Sequence, residues 1–210
     1  MKGTKKSFVG QRPIFTGSPS IVQGGFNLDV AFQKFNAGDT IPAGSLAIFD
    51  EQTRKVQIIK TGKVLSVNST KVTLYVDEFY EPIFAVGDKV AKAGAISGTF
   101  ADAVSITAIK KTETTCEITL SAAISGLAAD NVLVEVVADA SNNAALIGTA
   151  NAVTVSDADV KEDETGIDVT ADTLSYSLYE RRVPAIPADQ KATNGLYLVG
   201  NVHVKLTQSY

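Results

Sequence analysis

Apolar and polar positions alternate with a period of two along much of the chain. In "KVTLYVD" (71–77), Val72, Leu74 and Val76 share one face while Thr73 and Tyr75 take the other, which predicts a half-buried strand. "SLAIFD" (45–50), "KVQIIK" (55–60), "GKVLSVN" (62–68), "VSITAIKK" (104–111), "TTCEITLS" (114–121) and "NVLVEVV" (131–137) are likewise rich in β-branched and aromatic residues and bounded by turn formers. Lys110–Thr112 is a candidate turn between two of them. Residues 138–152 are small and polar, a loop or at most a short helix. After the acidic loop 157–168, "DVTADTLSYSLYERRVP" and "GLYLVGNVHVKLT" (195–207) complete the pattern. No long stripe with a period of 3.6 occurs. The expected fold is mainly β, a short-stranded barrel- or sandwich-like module with a nested small β module and an extended N-terminal arm.

The strands are entered through a repeated turn. "AGDTIPAG" (37–44) and "VGDKVAKAG" (86–94) both have Gly-Asp, an aliphatic residue two places on and a later glycine, and "ADNVLVEV" (129–136) is an altered copy. Glycine adopts a backbone angle other residues avoid, and aspartate bonds its own backbone as the chain reverses. The aliphatic residue then enters the core. This reading divides the chain into an outer module, 37–83 with 138–210, and an inserted one, 84–137.

Residues 1–36 differ. Lys2, Lys5, Lys6 and Arg12 precede the first acid, Asp29, and five phenylalanines (Phe8, Phe15, Phe26, Phe32 and Phe35) stand apart among glycines. Disordered tails are poor in aromatics. The expectation is an extended arm, reaching on the order of 100 Å, that orders by pressing these side chains onto another chain. Its candidate partner-binding residues are Lys5, Lys6, Phe8, Arg12, Phe15, Phe26, Phe32 and Phe35.

Composition narrows the function. The net charge is −4 with 20% charged residues, which argues against a general nucleic-acid binder. No apolar run has the length of a membrane span, and the N-terminus lacks the apolar core of a signal peptide. A soluble protein folded in a cytosol is expected. The single cysteine, Cys116, allows no internal disulfide and shares a face with Ile118 and Leu120, as an inert core thiol would. The single histidine, His203, falls opposite Val202, Val204 and Leu206, a surface position. No CxxC or HExxH spacing occurs. A calcium loop starting at Asp157 fails because Lys161 takes the fifth position and Glu162 the place of the required glycine. The expectation is no enzyme, no metal and no cofactor. A lipoyl- or biotinyl-type carrier shares the turn around "VGDKV", but no DKA or MKM tripeptide surrounds Lys71, Lys110 or Lys111.

Several stretches together resemble auxiliary head proteins of tailed bacteriophages, the head decoration or head fibre class found in crAss-like phages. They are "AGDTIPAGSLAIFDEQTRKVQIIKTGKV" (37–64), "FAVGDKVAKAG", "AVSITAIKK" and "EITLSAAISGLAADNVLVEV" within 84–136, and "ANAVTVSDADV" leading to "YERRVPAI" within 150–186. The resemblance implies a non-catalytic virion protein on the capsid surface. It would dock on the major capsid protein, often as a homo-oligomer, with no nucleic-acid or membrane partner. An adhesive or glycan-binding β module is the alternative, although the aromatic platform residue Trp is absent. In "YERRVPAIP" (179–187), Arg181 and Arg182 are expected on opposite faces of a strand. One would pair with Glu180 or the acidic loop, and the other would face a neighbouring subunit. Pro184 and Pro187 would end that strand or hold it at an edge.

Overall fold

Period-two alternation yields strands throughout the computed structural model, which describes residues 13–22, 25–77 and 80–207. In chain order the first nine are β1 (Phe15–Thr16), β2 (Phe26–Leu28), β3 (Thr40–Ile41), β4 (Leu46–Asp50), β5 (Lys55–Ile58), β6 (Thr61–Asn68), β7 (Lys71–Tyr75), β8 (Val90–Lys92) and β9 (Ile106–Lys111). They are followed by β10 (Thr115–Leu120), β11 (Val132–Glu135), β12 (Val137–Ala138), β13 (Ala144–Ala145), β14 (Ala152–Val153), β15 (Ala158–Asp159), β16 (Gly166–Ile167), β17 (Tyr176–Tyr179) and β18 (Val204–Thr207). Two single 3-10 turns, Glu180–Arg182 and Ala188–Gln190, are the helical elements among the described residues. The fold is mainly β, as expected. Residues 138–152 carry two-residue strands where a loop or short helix was expected.

The inner unit is a six-stranded sheet in the order β8-β11-β6-β7-β10-β9. Its two end strands approach each other through a Lys89–Ser105 bridge and the bond from Gly87 N–H to the Ile106 carbonyl, 2.8 Å. The sheet thus curls back on itself around Val64, Val72, Leu74, Phe84, Ile106, Cys116, Ile118 and Leu133. Closure leaves few free strand edges. Here the boundary differs from the expected 84–137. β6 and β7 belong to this inner unit, because Val64, Val72 and Leu74 point into its core rather than the outer one. β6 has eight residues, enough for its first half to pair with β11 and its second with β7.

The outer unit combines a five-stranded sheet, β14-β4-β5-β2-β16, with a three-stranded sheet, β1-β17-β18. One core cluster gathers Phe26, Ile41, Val56, Ile58 and Val169, and another gathers Ile14, Leu46, Val153, Leu178, Leu198 and Val204.

The described part of the N-terminal segment is stitched into these sheets rather than extended away from them. β1 pairs with β17, and β2 lies between β5 and β16. Ile14, Phe26 and Leu28 are buried. Their irregular spacing has a topological cause. The segment crosses from one sheet to another and delivers its apolar residues singly, so no period develops.

All three copies of the turn fold alike. The backbone N–H of Asp39, Asp88 and Asn131 donates to the carbonyl three residues back, on Asn36, Ala85 and Ala128, at 3.0, 3.1 and 3.2 Å. The residue before each is left-handed: Gly38 at φ 85°, Gly87 at 95° and Asp130 at 66°. The third copy therefore keeps the turn although it lost the glycine. Asn131 also keeps the side-chain role, accepting from Ala128 N–H at 2.9 Å as Asp88 accepts from Ala85 N–H at 2.8 Å.

Candidate functional site: a buried ionic cluster and an exposed apolar hairpin

Lys60 occupies the joint between the two units. Its neighbour Ile59 bonds to Leu46 of the outer unit, while its own carbonyl accepts from Glu135 N–H of the inner one. In "KVQIIK" it falls on the same face as Val56 and Ile58, so its side chain is driven into the interior. That side chain is 0% exposed, facing Asp88 at 2%. The ammonium lies 2.7 Å from Asp88 Oδ2 and 3.3 Å from Glu135 Oε1. It also donates to the Lys34 carbonyl and sits 4.6 Å above the centre of the Phe35 ring.

The second carboxylate has its own support. Gln33 Nε2 donates to Glu135 Oε2 at 2.6 Å and to the Ile58 carbonyl at 2.8 Å, and Gln33 Oε1 accepts from Ile58 N–H at 2.9 Å. Burial pushes the Glu135 carboxyl above the ordinary carboxylate range; Lys60 pulls it back and the charge of Asp88 raises it again. Two carboxylates share one ammonium in a place closed to water. Such a charge is expensive to bury, so every partner matters.

A second ionic contact joins the units nearer the surface. Lys111, at the end of β9, meets Asp39 of the first turn at 2.8 Å and Glu81 at 3.5 Å. Cys116 on the adjacent strand is buried, as expected, and burial pushes its thiol up to about 11.

Of the sequence-derived partner residues, Lys5, Lys6, Phe8 and Arg12 lie outside the described residues. Phe26 cannot meet a partner: it is 2% exposed, packed on Phe49 at 5.1 Å and under the Arg54 guanidinium at 4.4 Å. Phe15 is half-buried edge-on to Tyr176, and Phe35 is half-buried beside Lys60. Phe32 is exposed.

Arg181 and Arg182 do not stand on a strand. β17 ends at Tyr179 and the chain turns through a 3-10 helix, so the two arginines do not alternate across a sheet. Both are exposed. Arg182 donates to the Pro13 carbonyl at 2.7 Å and stacks on Tyr179 at 4.4 Å, so its guanidinium serves its own chain. Glu180 pairs with Lys191, a partner the sequence reading did not name.

Several exposed apolar residues of the outer unit belong to the C-terminal hairpin, while Ile21, Val30 and Phe32 are exposed in the N-terminal segment. Leu196, Val199 and Val202 lie on its outer side, while Leu198, Val204 and Leu206 are buried. Val202 was expected on the core face. It sits instead in the reversal between the two arms, 67% exposed. Leu174 adds to the same end of the molecule, where Tyr176 N–H bonds the His203 carbonyl at 3.0 Å. His203 is half-buried, its Nδ1 3.1 Å from Ser175 Oγ.

The acidic loop holds the outer unit together. Asp157 accepts from Ala43 N–H at 2.7 Å and Asp159 from Thr40 Oγ1 at 2.8 Å. Among the described residues no cluster of three or more His, Cys, Asp or Glu has a metal-holding arrangement, and no helix is long and apolar enough to cross a membrane.

No family model, curated protein or solved structure matches the chain. The functional reading therefore rests on the residues themselves.

Sequence reasoning singled out Asp88 as a turn residue but missed its partner Lys60, and with it Glu135, which shares that lysine, and Gln33, which supports Glu135. A signal was present. Lys60 follows β5 in step with its apolar residues Val56 and Ile58, and Glu135 interrupts the apolar run of β11, places where an unpaired charge would be prohibitive. Opposite charges at two such positions point to one another.

Proposed function

We propose that the protein is a non-catalytic structural component of a tailed-phage virion. It docks on the major capsid lattice, as a homo-oligomer, to decorate or stabilise the head or to anchor head fibres. The observation that carries this reading is the exposed apolar hairpin, with Leu196, Val199 and Val202 outward and Leu174 beside it. Apolar side chains gathered in this way favour contact with another protein surface. A buried core behind the hairpin and ionic contacts between the two units give that surface a rigid support. The order of strand-entry turns, the nested unit and the late "YERRVP" segment supports the same class.

The test is sedimentation of phage particles through a density gradient, followed by mass spectrometry of the band. The wild-type chain should travel with intact heads. A Leu196→Asp, Val199→Asp, Val202→Asp variant should fold and remain in the soluble fraction. Recovery of the wild-type chain only at the top of the gradient overturns the proposal. Full attachment by the triple variant overturns the role of the hairpin.

A further inference from the structure

We propose that Lys60 and Asp88 condense to form an intramolecular amide crosslink, with Glu135 carrying the proton. A salt bridge needs no second carboxylate, and burying one beside an already paired lysine is costly. The site nevertheless places Glu135 3.3 Å from the amine, holds its other oxygen with Gln33, and shuts all three ionisable side chains away from solvent, at 0, 2 and 10% exposure. This provides a nucleophile, an electrophile and a proton carrier in one dry pocket.

The step balances without a co-reactant. Glu135 relays a proton from the Lys60 ammonium to the Asp88 carboxylate, giving a neutral amine and a neutral acid. The Nζ lone pair attacks Cγ of Asp88 and a C–N bond forms. Ala85 N–H, 2.8 Å from Asp88 Oδ2, stabilises negative charge on the oxygen that remains as the amide carbonyl. Glu135 takes the second proton from nitrogen and delivers it to the departing Oδ1, which leaves as water. Nothing is oxidised or reduced. In bulk water this condensation is unfavourable. Here the groups are held at hydrogen-bond distance, which replaces a bimolecular encounter, and the product removes one positive and one negative charge from a site closed to water. The raised carboxyl of Glu135 suits a group that both accepts and donates a proton.

Asp88 is the electrophile rather than Glu135 because it is nearer, at 2.7 Å, and because Gln33 engages the free oxygen of Glu135. The link would join positions 28 residues apart, enclosing β6 and β7 and fastening the joint between the units to the second Gly-Asp turn.

Intact-mass measurement of the denatured full-length chain tests this directly. The wild type should be one water lighter than its sequence. Its protease digest should contain a branched peptide joining Lys60 to Asp88, with no tryptic cleavage after Lys60. Glu135→Gln and Lys60→Met should each have the full sequence mass. A wild-type chain of unmodified mass after prolonged incubation at neutral pH overturns the proposal, whether or not the variants fold. So does a missing water without the branched peptide, or a branch through Glu135.

Discussion

Lys111 donates to Asp39 across 2.8 Å, fastening the last residue of β9 to the first Gly-Asp turn of the outer unit. The second turn repeats the relationship, with Asp88 receiving Lys60. In both, an aspartate that shapes a local reversal also takes a lysine from a distant stretch of chain. The turn motif therefore supplies strand entry and an attachment point between the units.

Breaking the outer contact should be measurable and pH-dependent. Burial disfavours the Lys111 charge, but the hydrogen bond and charge of Asp39, with Glu81, outweigh it and leave the pKa above the ordinary lysine value of 10.5. A raised folded pKa stabilises fully below the unfolded value, and the contribution is lost as pH rises through the folded one. Lys111→Met should lower unfolding free energy by about 1–2 kcal/mol at pH 7. Urea melts between pH 7 and 11 should show the difference from wild type shrinking at the alkaline end. A difference that stays constant would show that the loss is one of packing.

The third turn separates backbone strain from side-chain bonding. Asp130→Gly relieves a left-handed non-glycine residue and gives up only an exposed ion pair with Lys63, so stability should rise by about 0.5 kcal/mol. Asn131→Ala removes the acceptor for Ala128 N–H and should cost about 1 kcal/mol. Chemical denaturation of the two variants checks the opposite signs.

Phe26 and Phe32 stand six residues apart and should behave in opposite ways. Phe26→Ala empties a site 2% exposed and should cost about 3–4 kcal/mol, whereas Phe32 is 52% exposed and its alanine variant should stay within about 0.5 kcal/mol of wild type. A chain starting at Ala37 lacks β1 and β2 and should fail to fold; one starting at Pro13 should give a cooperative melt. Differential scanning calorimetry distinguishes these outcomes.

Cys116 should resist alkylation in the native protein. The thiolate is the reactive form, and burial holds the thiol near 11 despite the pull of Lys111. Iodoacetamide at pH 8 should label it only after denaturant is added. Rapid labelling of the folded chain would mean that this part of the inner unit opens readily.

The sequence by itself determined the elements whose causes are local. Period-two alternation located β4 to β7 and β9 to β11 to within a few residues, because side chains on a strand point to opposite faces whatever its partner. Gly-Asp determined the turns for the same reason, through one backbone angle and one side-chain acceptor within four residues. Only the tertiary structure decided where β6 and β7 belong, since either core accepts their alternation and the choice depends on contacts with Phe84, Ile118 and Leu133. It likewise decided that Phe26 is interior, that "YERR" leaves the strand, and that Lys60 finds Asp88 and Glu135. Partners 28 and 75 residues away along the chain leave no periodic trace. Their meeting is set by the closure of the sheet, which depends on all its strands together.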